Sequence, residues 1–223
     1  FLNNMGAQIR GAGTDVIRIT GVPKLESKNT HTIIPDRIEA GTYLALAAAQ
    51  GDGVLVKNVI PEHLESFTAK MIEMGVQLDV REDSIYVPKS ENLTPIHIKT
   101  APFPGFATDL QQPITPLLTL ADGESVITET IYPERTRHIP ELQKLGVAIE
   151  NPEYGQITVT KSNNFHGASV AAAEIRAGAS LVTAGLMADG ITEATNAEHV
   201  LRGYDHIIHK ITMLNADIQI AED

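Results

Sequence analysis

The residues best placed to do chemistry in this 223-residue chain are one carboxylate and a scarce set of arginines. Glu39, Asp109 and Arg176 each stand fourteen residues before a glycine that follows an aspartate, namely Gly53, Gly123 and Gly190. Equal offsets put all three in the first turn or two of a helix, at matching points of a repeat. Helix N-termini carry unpaired amides and the positive end of the macrodipole, so they favour anionic ligands. Arg37, Arg135, Arg137, Arg176 and Arg202 fall at helix starts or in the loops before them. A cation opposes the dipole there, so stability alone would not select arginine; bidentate recognition of phosphate or carboxylate would. Capping is the competing use for the acids, since Asp36-x-x-Glu39 and Thr108-x-x-Gln111 both fit the capping-box template. For the arginines it is a solvated face with scattered salt bridges. Arg137 is the weakest of them, sharing its helix with His138, Glu141 and Lys144.

The elements that must position these groups come in repeats. A helix end, a left-handed cap and a strand recur at Gly6, Gly75, Gly146 and Asn215, separated by 69, 71 and 69 residues. Such regularity means repeated supersecondary units. Each unit reads strand, helix, strand, helix, strand, strand. The first is expected as His31–Ile34, a helix over Asp36–Gln50, Val54–Ile60, a helix over Pro61–Met74, and a hairpin of Val76–Arg81 with Ser84–Val87. The second is Pro95–Lys99, a helix from about Thr108 to Leu120, Ser125–Ile131, a helix near Arg137–Leu145, and a hairpin of Val147–Glu150 with Gln156–Thr160. The third is Ala168–Ala172, helix Ile175–Met187, Ile191–Ala194, helix His199–Leu214 and strand Asp217–Ile220, one strand short. The leading piece, with a hairpin turn at Gly11-Ala-Gly13 and an alternating strand at Val16–Thr20, reads as the tail of a preceding unit. The expected division is therefore 1–29 as tail and 30–223 as a domain of three repeats, at about 30–93, 94–166 and 167–223.

The first helix of each repeat is apolar around nearly its whole circumference, as in Leu44–Ala49, Ile114–Leu118 and Ala179–Leu186, so it must be surrounded by protein. The alternating strands have one wet face. An α/β fold with helices inside and sheets outside, three times over, is the expected architecture.

Composition narrows the function. With 43% hydrophobic and 20% charged residues the chain is globular. A net charge of −11 argues against nucleic acid and anionic lipid. No apolar run approaches the ~18 residues of a membrane helix. Zero cysteines rule out disulfides and thiolate metal sites and fit a reducing, cytoplasmic setting. His206 and His209 beside Asp205 lack a third metal ligand, so no metal and no cofactor is expected. Tyr132 and Tyr204 could stack on a base or sugar, core packing being the commoner use.

Five ordered segments, Pro35-Asp-Arg-Ile-Glu-Ala-Gly-Thr42, Pro104-Gly-Phe-Ala-Thr-Asp-Leu-Gln-Gln112, Ile127-Thr-Glu-Thr-Ile-Tyr-Pro-Glu-Arg135, Ile175-Arg-Ala-Gly-Ala-Ser-Leu-Val182 and Arg202-Gly-Tyr204, carry a resemblance. Together they resemble the UDP-N-acetylglucosamine 1-carboxyvinyltransferase family of enolpyruvyl transferases, across essentially the whole chain. The resemblance implies a two-domain enzyme whose domains are inside-out α/β barrels of three βαβαββ units, with this chain as the second domain plus the last helix and hairpin of the first. It implies transfer of the enolpyruvyl group of phosphoenolpyruvate to the 3-hydroxyl of UDP-N-acetylglucosamine, which opens peptidoglycan synthesis. Asp109 then corresponds to the carboxylate at that hydroxyl and candidate general base. Arg135, Arg176 and Arg202 correspond to the phosphoenolpyruvate and phosphate clamp, and Ile131 to a backbone contact with the nucleotide sugar. Asp36 and Arg37 correspond to a motif near the domain junction.

In that family a reactive cysteine loop, a lysine and an asparagine that meet phosphoenolpyruvate, and most uridine contacts belong to the first domain. The chain alone is therefore expected to be inactive and to need that domain as partner. An unpaired sheet edge near Asp217–Ile220 is expected to favour dimers. The rivals are 5-enolpyruvylshikimate-3-phosphate synthase and a non-catalytic repeat module. The former should carry an Arg-x-Lys-Glu-Ser-Asp-Arg-like segment where this chain has Tyr132-Pro-Glu-Arg-Thr-Arg-His138.

Overall fold

The computed structural model of the chain describes residues 1–27 and 29–221. Lys28, beside the expected boundary at 29/30, and Glu222 and Asp223, which close the third repeat, lie outside the described residues. Two compact units divide at Pro35/Asp36.

The first unit, Phe1–Pro35, holds a short 3-10 helix, Leu2–Met5, and an antiparallel hairpin of β1 (Gln8–Arg10) with β2 (Arg18–Thr20). Asn3 ties helix to hairpin, its side chain donating to the Ile9 carbonyl at 2.8 Å and accepting from the Ile9 amide at 2.9 Å. Gly11 and Gly13 turn the hairpin with positive φ, as expected. The alternation at Val16–Thr20 promised one dry face, yet Ile17 and Ile19 are both exposed. His31–Ile34 forms no strand.

The second unit begins with α1 (Arg37–Gln50), then β3 (Val54–Lys57), a 3-10 turn running into α2 (Glu65–Met74), and β4 (Asp79–Val80) with β5 (Ser84–Val87). The middle repeat follows as β6 (His97–Lys99), α3 (Thr108–Leu118), β7 (Glu124–Thr128), α4 (His138–Lys144), β8 (Ala148–Glu153) and β9 (Gln156–Thr160). The third consists of β10 (Ser169–Ala171), α5 (Ile175–Met187), β11 (Glu193–Thr195), α6 (Glu198–Gly203) and α7 (Ile207–Thr212). All four repeat markers take positive φ, at 98°, 103°, 85° and 64° for Gly6, Gly75, Gly146 and Asn215. The duplication is thus structural as well as textual.

One strand order underlies the sheets. The middle repeat shows it whole as β6-β7-β9-β8, with β6 parallel to β7 and the other pairs antiparallel. The first repeat shows β3-β5-β4, which lacks the leading strand, and the third only the parallel pair β10-β11. No hydrogen-bonded ladder links one sheet to the next, so no closed barrel forms among the described residues. The fold is mixed α/β around three buried helices. Asp217–Ile220 also forms no strand, so the open edge expected there is absent; no neighbouring strand offers it a ladder.

The three apolar helices pack on one another as expected. In α3 every residue from Leu110 to Leu118 is buried. Gly41 lets α1 approach α3: a Cβ there would stand 2.6 Å from Leu110 Cδ2. Pro113 does not displace the start of α3. It lies past the first turn, where its ring leaves the Asp109 carbonyl without its usual helical donor.

Candidate active site

Asp109 lies in the first turn of α3, Arg135 in the loop after β7, and Arg176 in the first turn of α5. Three separate elements bring them together. Arg135 Nη1 donates to Asp109 Oδ1 at 2.5 Å, and Arg176 Nη2 stands 3.7 Å from Asp109 Oδ2. The side chains of both arginines are largely buried, at 14% and 15% exposure, while Asp109 keeps 37%. Low exposure strengthens the pairing relative to a surface salt bridge. Arg135 Nη1 also donates to Thr108 Oγ1 at 3.2 Å, and its Nε lies 3.6 Å from Glu174 Oε1. Arg176 stacks over the Tyr204 ring at 5.4 Å. Tyr204 is core, not exposed for a sugar: its hydroxyl meets Thr42 Oγ1 at 3.0 Å, and burial raises its pKa despite Arg176 and Thr42.

The loop carrying Arg135 is organised by a residue the sequence analysis did not single out. Glu129, 2% exposed, accepts from Thr100 Oγ1 at 2.7 Å and from the Ile131 and Tyr132 amides at 2.9 and 3.0 Å on Oε1. Its Oε2 accepts from Thr108 Oγ1 at 2.8 Å. Four donors around one buried carboxylate satisfy it fully. They tie the loop to the start of α3, and so Arg135 to Asp109. Ile131 has an engaged amide, but its carbonyl accepts no hydrogen bond among the described residues. Tyr132 is exposed, with Arg135 over its ring at 5.9 Å.

Beneath the cluster lie polar side chains without solvent. Gln112 and His138 are both fully buried, and Gln112 Nε2 donates to Glu174 Oε1 at 2.9 Å while standing 3.2 Å from His138 Nδ1. Burial, with Arg135 adding to it, pushes the His138 pKa down to about 3, so the ring is neutral.

Other expectations fail locally. Thr108 caps nothing: Ala107 is the N-cap of α3, without a side-chain cap bond, because the Thr108 hydroxyl is given to Glu129. Asp36 does cap α1, accepting from the Ile38 and Glu39 amides. Glu39 turns to Lys210 at 2.8 Å and takes no part in the cluster, so the convergence of three equivalent positions holds for two. Arg37 sits over Phe103 at 5.4 Å. Arg202 was expected near a helix start but ends α6, because the single helix predicted over His199–Leu214 breaks at Tyr204–His206, where His206 takes φ 48°. It is exposed and makes no ion pair among the described residues. No group of His, Asp and Glu suited to a metal occurs among the described residues, and no helix is long and apolar enough to cross a membrane.

Comparisons with known proteins point to one family. Residues 1–211 match the family model described as EPSP synthase (3-phosphoshikimate 1-carboxyvinyltransferase). The chain is 62% identical over its whole length to UDP-N-acetylglucosamine 1-carboxyvinyltransferase 2 of Lactiplantibacillus plantarum, of which it covers 52%. It is 57% identical to UDP-N-acetylglucosamine 1-carboxyvinyltransferase 1 of Streptococcus agalactiae, covering 53%. The chain thus spans about half the length of the relatives it matches. Among solved structures, the enolpyruvyl transferase NikO from Streptomyces tendae superposes with TM-score 0.88 at 26% identity, over 97% of this chain and 52% of the other. EPSP synthase from Acinetobacter baumannii shares the fold, with TM-score 0.71 at 19% identity over 99% of this chain and 54% of the other.

Proposed function

Given that this chain belongs to the EPSP synthase family of carboxyvinyltransferases, we propose that it forms the C-terminal half of a cytoplasmic UDP-N-acetylglucosamine 1-carboxyvinyltransferase. In this reading residues 1–29 finish a preceding domain, and 30–223 are three repeats of an inside-out barrel whose open sheets the remainder of the protein completes. The substrates are phosphoenolpyruvate and UDP-N-acetylglucosamine, and the half-enzyme alone is inactive. The identity of 57–62% to relatives bearing that name supports this acceptor over shikimate 3-phosphate.

The chemistry runs as addition and elimination. The sugar 3-hydroxyl oxygen bonds to C2 of phosphoenolpyruvate and loses its proton, while C3 gains one, giving a tetrahedral phospholactoyl adduct. Loss of a proton from C3 and of phosphate from C2 then gives the enolpyruvyl ether. Asp109 takes the hydroxyl proton as general base. Arg135 and Arg176 hold the carboxylate and phosphate, whose charge redistributes as the C–O bonds change. Arg202, exposed and without a carboxylate partner among the described residues, joins them at the phosphate. Ile131 meets the nucleotide sugar through its carbonyl.

The observation that carries the reading is the meeting of Asp109 with Arg135 and Arg176 at the starts of two buried helices. The test is phosphate release by the full-length protein, with phosphoenolpyruvate and either acceptor. Release is expected with UDP-N-acetylglucosamine and not with shikimate 3-phosphate. The opposite preference, or none, would overturn it.

A further inference from the structure

We infer that Gln112 is a positioning residue for the anion clamp, acting through Glu174 on Arg135. The inference rests on the clamp reading above, and its first test does not depend on turnover.

Gln112 sits one turn into α3, three residues after Asp109 and on nearly the same face but fully buried, where its amide bridges two other elements. Nε2 donates to Glu174 Oε1, at the N-cap of α5, and its second hydrogen faces His138 Nδ1 on α4. The orientation of this amide is forced. An ionised carboxylate only accepts, so the nitrogen must face Glu174. The other proton then makes His138 Nδ1 an acceptor and fixes that neutral ring as the Nε2–H tautomer. Glu174 Oε1 is therefore held at one point, and that point is 3.6 Å from Arg135 Nε. Arg135 donates a hydrogen bond to Asp109 through Nη1, while its Nε faces Glu174 as a looser ion pair, without a hydrogen-bond partner among the described residues. The guanidinium lies between two carboxylates, one hydrogen-bonded and one 3.6 Å away, of which only Asp109 belongs to the reacting groups. Without Gln112, the Glu174 carboxylate keeps no hydrogen bond among the described residues, only its 3.6 Å approach to Arg135, and with 32% exposure it can swing to water.

This arrangement separates binding from stability. Gln112→Leu removes both hydrogen bonds at similar volume. The exchange Gln112→Glu with Glu174→Gln restores the hydrogen bond between these positions with donor and acceptor reversed, yet takes the carboxylate away from Arg135.

The first measurement is the Arg135 Nε–Hε resonance of the chain itself, assigned by its loss in Arg135→Lys. Gln112→Leu and the exchanged pair are each expected to shift it and speed its exchange with solvent. An unchanged resonance in both overturns the inference whatever the enzyme proves to do. The second is steady-state kinetics of the full-length protein. KM for phosphoenolpyruvate is expected to rise about tenfold in Gln112→Leu, the size of one charge-assisted hydrogen bond, with the sugar KM unmoved. The exchanged pair should recover the thermal stability of the original but not its KM. Recovery of both would make Gln112 merely structural and overturn the inference. Absence of turnover in the unmodified protein would sink the transferase reading and leave the resonance test standing.

Discussion

Asp109 and Arg135 neutralise each other at 2.5 Å, with Arg176 closing on the other carboxylate oxygen at 3.7 Å. The base and the clamp of the proposed reaction are therefore engaged with one another before any anion arrives. An anion that recruits the arginines frees the carboxylate to accept a proton.

Asp109→Asn separates these roles. Loss of the negative charge releases both arginines, so inorganic phosphate should bind the chain several-fold more tightly by calorimetry. Turnover of the full-length protein should fall by about 10² to 10⁴, the range of a general base. Weaker phosphate binding would contradict the mutual neutralisation.

Glu129 supports the loop that carries Arg135. Glu129→Ala leaves the Thr100 and Thr108 hydroxyls and two amides without their acceptor, which should cost roughly 3 kcal/mol in urea unfolding. Glu129→Gln keeps the shape but loses acceptor capacity and should fall between. A loss under about 0.5 kcal/mol would make the site's scaffold redundant.

His138 makes the fold acid-sensitive. Its folded pKa lies near 3 and its ordinary value at 6.5, so between these the unfolded chain binds the extra proton. Stability contributed by the neutral ring is present above about pH 6.5 and drains away as pH falls towards 3, at up to about 1.4 kcal/mol per pH unit. Denaturant midpoints of the original and His138→Gln should diverge in slope over that window. Parallel profiles would refute the assignment.

Tyr204 joins Arg176 to α1. Tyr204→Phe removes the hydroxyl that meets Thr42 at 3.0 Å and faces Arg176, and should cost about 1 kcal/mol, while Tyr204→Leu also removes the ring beneath Arg176 and should cost about 3 kcal/mol. Thermal unfolding distinguishes them.

How much of this was legible in sequence follows from what each signal encodes. The repeat was legible because left-handed caps demand glycine or asparagine, and all four markers take that conformation. The buried helices were legible because no charged residue interrupts Leu44–Ala49, Ile114–Leu118 or Ala179–Leu186. Asp109, Arg135 and Arg176 were found by offset and residue type. Glu129, Glu174, Gln112 and His138 were not, because each is meaningful only through a partner 21 or more residues away or a backbone amide. The break between α6 and α7 turns on His206, a residue type that does not announce a left-handed turn. The strands expected at His31–Ile34 and Asp217–Ile220 failed because alternation promises a strand but not a neighbour to pair with.

The completeness of the middle repeat has a kinetic corollary. Both β7 and β9 are flanked by a strand on each side, while β3, β10 and β11 each have one lateral partner among the described residues. Amide protons of Ile127, Ile157 and Val159 are therefore the last that deuterium should replace, and those of β10 and β11 among the first. The molecule would loosen from its flanks towards its centre, with Asp109 and Arg135 parting late.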